Sequence, residues 1–228
     1  MSLKVFILGR PGSGKTTAAR YVSRLAIVCG LTAIHLNDYD ILKQMFLADT
    51  EHLIFRPTEN NGFDVRDFST LEIALQKLNE EIEKRSATYD IITVEFARDD
   101  YQQALRKFDT NILRSACFLY LDADIETCLR RVHERVTHAS SADDHPSISD
   151  ELFKVYYRAD HKSYMLSMFS QDFDISDEQV GIIENEGSYE CFLNKTRQTL
   201  DTFLGLILSL SQAQGILTGP VSYSSVYG

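Results

Sequence analysis

Apolar and polar positions along the chain alternate between short solid runs and longer periodic stretches. Lys4-Val5-Phe6-Ile7-Leu8 is nearly all apolar and reads as a buried strand. A polar turn follows, and helical spacing then runs from about Lys15 to Cys29, where Gly30 suits a helix end. Leu31 to Leu36 gives a second strand, and a strand–helix–strand crossover of this length makes a parallel pair. Ile41, Leu42, Met45 and Phe46 show helical spacing again. The segment from Thr50 to Ser69 holds Arg56-Pro57 and Asn60-Asn61-Gly62, shows little periodicity, and reads as a long loop. Leu71, Ala74, Leu75, Leu78 and Ile82 then mark one helix face.

The alternation continues through the second half. Ile91 to Val94 is a third strand with a helix starting near Asp99, and Ala116 to Leu121 is a fourth. Ile125, Cys128, Leu129, Val132 and Val136 line the helix after it. A helix from Pro146 to Ser149 onward runs through Leu152, Val155, Tyr156 and Ala159 toward Met168. Val180 to Ile183 is the fifth strand, followed by a long helix with Phe192, Leu200, Phe203, Leu204 and Ile207. Strands alternating with helices predict a three-layer α/β fold around a five-stranded parallel sheet. The expected organisation is one domain over residues 1–211, with a flap at 41–86 and a lid at 137–149, and a flexible tail at 212–228.

Composition narrows the class. At 228 residues and 44% apolar, the chain can bury one large core. Its net charge of −10, from 23 basic and 33 acidic side chains, argues against a nucleic-acid partner. Cys29, Cys117, Cys128 and Cys191 lack metal or disulfide spacing and suit a cytoplasmic protein with reduced thiols. No run of about 18 apolar residues occurs, so no membrane span is expected. The C-terminal helix or the Gly-, Ser- and Tyr-rich tail is a candidate oligomer contact.

The candidate chemistry begins where the first strand ends. Gly9-Arg10-Pro11-Gly12-Ser13-Gly14-Lys15-Thr16-Thr17 is a complete G-x-x-x-x-G-K-T loop between a strand and a helix. Its glycines let backbone N–H groups turn toward phosphate oxygens, and the helix adds the positive end of its dipole. Lys15 is expected to reach the β- and γ-phosphates, and Thr16 to offer its hydroxyl to Mg²⁺.

Three further groups fall at strand ends. Asp38 and Asp40 share the turn after the second strand, where each could cap a helix or take a proton from an attacking hydroxyl. Glu95 leaves the third strand with Arg98 three residues on, either as substrate contacts or as a mutual ion pair. Arg131 and Arg135 share a helix face leading into the polar lid, so closure would bring their charge to a phosphoryl group. Arg56 is a further candidate for contacting an anionic acceptor.

These residues resemble the P-loop kinases of nucleosides, nucleotides and other small metabolites, from Lys4 to about Phe203. The loop is similar to the G-x-P-G-S-G-K-T form of nucleotide kinases, the adenylate kinase-like type. Asp38-Tyr39-Asp40 followed by Leu42-Lys43 resembles the D-x-D turn of adenylylsulfate kinase and zeta-toxin kinases, which implies a base at Asp40, with Asp38 second. Glu95 and Arg98 resemble the acceptor-binding pair of the zeta-type E-G-T-x-R pattern, at a spacing one residue shorter. Tyr120 to Asp124 with Arg131 and Arg135 resembles the strand-four and lid-helix pattern. Asn185-Glu186-Gly187-Ser188 is similar to the N-x-G-S turn of dephospho-coenzyme A kinase, which implies a nucleotide contact for Asn185.

The resemblance implies an ATP- and Mg²⁺-dependent kinase acting on a small-molecule acceptor. ATP is expected rather than GTP because no N-K-x-D motif follows a strand. A hydroxyl acceptor is favoured over a nucleotide phosphate, since acidic residues repel a phosphate. Two other readings stay open: a nucleotide-dependent ATPase or switch, and an ATP-binding module without transferase activity.

Overall fold

The computed structural model describes residues 2–58, 62–137 and 148–213. Most of the expected lid and nearly all of the expected tail therefore lie outside the described residues. Among the described residues seven strands are formed: β1 (Leu3–Leu8), β2 (Ala33–Asn37), β3 (Phe55–Pro57), β4 (Phe63–Val65), β5 (Ile91–Glu95), β6 (Ala116–Asp122) and β7 (Val180–Glu184). The helices are α1 (Lys15–Val28), α2 (Asp38–Ala48), α3 (Ser69–Arg85), α4 (Tyr101–Leu105), α5 (Thr110–Arg114), α6 (Ile125–Thr137), α7 (Asp150–Tyr156), α8 (Lys162–Ser167), α9 (Phe169–Phe173) and α10 (Tyr189–Ala213).

Five strands make one parallel sheet in the order β2-β5-β1-β6-β7, as the apolar runs predicted. The three inner strands β5, β1 and β6 bury both faces, which is why their sequences are near-solid apolar runs, while the edge strands β2 and β7 are mostly half-buried. On one face Phe6, Leu8, Val94, Phe118 and Tyr120 pack against α3, α4, α5 and α9. On the other, Val5, Ile7, Leu119 and Leu121 pack against α1 and α10. Ile7 pairs in register with Glu95, which also pairs with Asn37, so the loop after β1, the start of α2 and Glu95 share one sheet edge. That carboxyl edge is where open parallel sheets collect ligands.

Two regions differ from the sequence reading. The expected loop from Thr50 to Ser69 contains the antiparallel pair β3–β4. Its strands of three residues are too short to show alternation, and Arg56-Pro57 reads as a turn. Phe46, Phe55 and Phe63 hold the pair against α2 through ring contacts of 4.9–5.9 Å between centroids. The single helix expected toward Met168 is instead two, α7 and α8, with α9 following from Phe169. At the first break the carbonyls of Tyr157 and Ala159 turn away from helical bonding and accept from the Arg10 guanidinium at 2.8 and 2.5 Å.

Candidate active site

The loop after β1 owes its shape to three glycines. Gly9, Gly12 and Gly14 have φ of 140°, 82° and 103°, where L side chains are strained. At Gly12 a Cβ would also lie 2.3 Å from the Cys128 carbonyl oxygen, and at Gly14 2.6 Å from Asn185 Nδ2. α1 starts at Lys15 with no side-chain cap, so its first N–H groups face outward as an anion site. Pro11, Gly12, Gly14, Lys15, Thr16 and Thr17 line a cavity of about 470 Å³. Gly9 and Ser13 stand outside its lining and shape the loop from behind: the Gly9 N–H donates to Tyr101 Oη at 2.7 Å, and the Ser13 carbonyl accepts from Asn185 Nδ2 at 2.7 Å.

Behind the loop lies a corner of oxygen and nitrogen donors. Thr16 Oγ1 donates to Glu95, 3.1 Å from each carboxylate oxygen. Lys15 Nζ donates to the Arg10 carbonyl at 3.0 Å and lies 3.8 Å from Glu95 Oε1. His35 Nε2 is 3.2 Å from Glu95 Oε2, and its Nδ1 is 3.0 Å from Thr93 Oγ1. Burial works against the Glu95 charge, but the His35 contact, the Lys15 ammonium and the Thr16 hydroxyl together hold its carboxyl below the usual range. Burial lowers the Lys15 pKa, with Glu95 opposing it. A hydroxyl beside a carboxylate, next to a phosphate cradle, is a donor set suited to Mg²⁺, whose other ligands are phosphate oxygens and water. Among the described residues no cluster of three His, Cys, Asp or Glu could hold a metal by itself.

Glu95 and Arg98 do not pair with each other. Arg98 Nη1 instead donates to Asp38 Oδ2 at 2.5 Å, and both side chains are almost fully buried. Arg98 also donates to the carbonyls of Ala97 at 2.7 Å and Leu71 at 3.0 Å, which ties α2, α3 and the end of β5 together. Burial pushes the Asp38 carboxyl above its usual range, against the pull of Arg98. Helix capping is done by neither aspartate: Asn37 accepts from the Tyr39 N–H at 2.9 Å.

Two residues expected at the site lie elsewhere. Asp40 is exposed and does not line the cavity, because the cap at Asn37 sets the phase of α2 so that Asp38 turns inward and Asp40 outward. Arg56 is also outside the lining, with its charge committed to Asp64 at 2.6 Å, the residue opposite it in the β3–β4 register. Asp64 in turn accepts from the Ser149 N–H at 2.8 Å, so this ion pair fastens the hairpin to the start of α7.

Arg131 and Arg135 both line the cavity from α6, and Asn185 lines it from the turn after β7. The Nη1 atom of Arg131 is buried with no hydrogen-bond partner among the described residues. Sequence reasoning missed Tyr101, the Arg10 clamp, which includes a 2.9 Å bond to the Ala123 carbonyl, and His35. For His35 a signal existed, since it stands on β2 two residues before the acidic turn.

Comparisons with known proteins bear on the fold. A family model described as an AAA domain matches residues 8–149, more than half of the chain. A search of curated proteins finds no match. Among solved structures, an APS kinase from Mycobacterium tuberculosis, in complex with AMPPNP and APS, aligns with a TM-score of 0.53 at 14% identity, covering 89% of this chain and 97% of its own. A sugar kinase from a Janibacter species aligns with a TM-score of 0.52 at 19% identity, over 89% and 96%. A gluconokinase from Sinorhizobium meliloti gives 0.51 at 12% identity, over 91% and 97%. At these identities the likeness is one of fold: the α/β fold that these P-loop small-molecule kinases share.

Proposed function

Because the chain belongs to the AAA-domain family, we propose that it is a kinase that transfers the γ-phosphoryl group of ATP to a hydroxyl of a small molecule. The observation that carries this reading is the buried Asp38 carboxylate, which lines the same cavity as Lys15 and Thr16 at the same sheet edge. A hydrolase needs only water beside its phosphate loop. Here an aromatic-walled half-cavity and an oriented carboxylate lie next to it.

The roles follow from the positions. Backbone N–H groups of the loop and the start of α1 bind the phosphates, and Lys15 exchanges the Arg10 carbonyl for a phosphate oxygen. Thr16 and Glu95 would hold Mg²⁺, which when bound supplies charge neutralisation across the β- and γ-phosphates. Arg131 and Arg135 face the cavity from α6 and would neutralise charge on the group in flight. As the acceptor oxygen bonds to the γ-phosphorus and the bridge to the β-phosphate breaks, the acceptor proton passes to Asp38. A carboxyl whose pKa is raised by burial is the better proton acceptor, and Arg98 fixes its orientation. The proposal places this kinase unit at residues 1–211, with 41–86 and 137–149 closing over the acceptor, in the cytoplasm.

Asp38→Asn tests the reading. Transfer is expected to fall by about 10²–10⁴-fold, the usual worth of a positioned base, with nucleotide affinity unchanged. Asp40→Asn should leave the rate near wild type. A rate unchanged in the Asp38 variant would remove the acceptor half from the chemistry.

A further inference from the structure

The half of the cavity away from the phosphate loop is walled by rings. Tyr39 comes from α2, Phe63 from β4, Phe68 from the start of α3, and Tyr156 and Tyr157 from the end of α7. They contact one another in pairs: Tyr39 stacks on Phe63 at 5.6 Å between centroids, Phe68 stacks on Tyr156 at 5.3 Å, and Tyr156 meets Tyr157 edge-on at 4.8 Å. Four separate segments thus converge on one aromatic surface. Rings at such separations leave flat faces on which another ring can stack.

Among the described residues, the charge in this half is already spent. Arg98 is held by the Asp38 carboxylate and by the carbonyls of Ala97 and Leu71. Arg56, on the neighbouring strand, is bound to Asp64 and lies outside the lining. The arginines of α6 are those assigned above to the phosphates. An acceptor bearing its own phosphate or carboxylate would be desolvated here against a pair that is already neutral. A polyol would find only the tyrosine hydroxyls as partners among these rings, and its remaining hydroxyls would bear the cost of desolvation as unpaired polar groups.

We infer that the acceptor is an uncharged alcohol carrying a flat aromatic ring, which stacks in this half while its hydroxyl meets Asp38. This rests on the kinase reading above, and it names the substrate class of that site. It also sets the chain apart from the kinases of sugars, gluconate and APS that share its fold.

The experiment is calorimetric titration of the whole chain, with the donor site first saturated with Mg²⁺ and AMPPNP so that no probe can occupy it. The probes are thymidine and 2-phenylethanol against glucose, gluconate and AMP, and each is then offered with ATP to look for transfer. At least one ring-bearing alcohol should bind about tenfold or more tighter than all three others. Phe68→Ala, at a residue already 44% exposed and so safe for folding, should weaken it by about 2–10-fold with AMPPNP affinity unchanged. Tyr156→Leu, on the opposite side of the same stack, should do the same. Tighter binding or faster phosphorylation of glucose, gluconate or AMP overturns the inference and leaves the kinase reading standing, and binding of none of the five overturns it too. Ring-alcohol binding that Phe68→Ala weakens, with no phosphorylated product, sustains the ring-binding pocket and sinks the kinase reading.

Discussion

Replacing Arg98 with Met should be among the most damaging single changes in the protein, and its cost can be worked from the contacts. Arg98 and Asp38 are about equally buried, with side chains 6% and 7% exposed, so neither charge has water to fall back on. Removing the guanidinium leaves the Asp38 carboxylate buried and unpaired, a loss of about 3–5 kcal/mol in comparable pairs. The carbonyls of Ala97 and Leu71 lose their donors in the same step. For a domain of this size about 1 kcal/mol moves the melting temperature by roughly 2–4 °C, so a fall of roughly 6–20 °C is expected. Asp38→Leu combined with Arg98→Met removes both charges, and should recover much of the loss because no buried ion remains. Thermal and urea unfolding of wild type, both single variants and the double variant form a closed cycle. A single-variant cost below about 1 kcal/mol would refute the reasoning, as would a double variant no better than the worse single.

Other expectations follow from the same contacts. Gly12→Ala places a methyl group 2.3 Å from the Cys128 carbonyl oxygen at a φ of 82°, so ATP affinity by calorimetry should fall at least about tenfold. Tyr101→Phe strips the Gly9 N–H of its partner in a buried setting; it should cost about 1–3 kcal/mol in urea unfolding and weaken nucleotide binding. Burial works against the Asp64 charge, but the Arg56 guanidinium and the Ser149 N–H hold its carboxyl below the usual carboxylate range. The unfolded chain takes up this proton first, so the stabilisation is complete above about pH 5 and is lost as pH falls through the folded value. Wild type should therefore outlast Asp64→Asn in thermal melts at pH 7, and the gap should close below about pH 4.

The sheet and the phosphate loop were legible because local pattern alone specifies them. Strands buried on both faces must be apolar throughout, and the loop needs glycine at fixed offsets before a lysine. The acceptor half was less legible because long-range packing decides it. Asp38 and Asp40 are equivalent in sequence, and only the helix phase set by Asn37 turns one inward. Arg98 has an acidic residue three positions away, yet its partner is 60 positions away. Arg56 reads as a free cation until β3 and β4 pair and bring Asp64 opposite. The aromatic wall draws on segments far apart in the chain, none of which carries a motif of its own.

The fate of the γ-phosphoryl group decides the account most directly. The full chain would be incubated with γ-labelled ATP, Mg²⁺ and a pool of small metabolites, and the products separated. Wild type should place label in a stable organic phosphate ester, and Asp38→Asn should lose it while nucleotide still binds. Label recovered only as inorganic phosphate, or remaining entirely in ATP, would contradict the kinase reading.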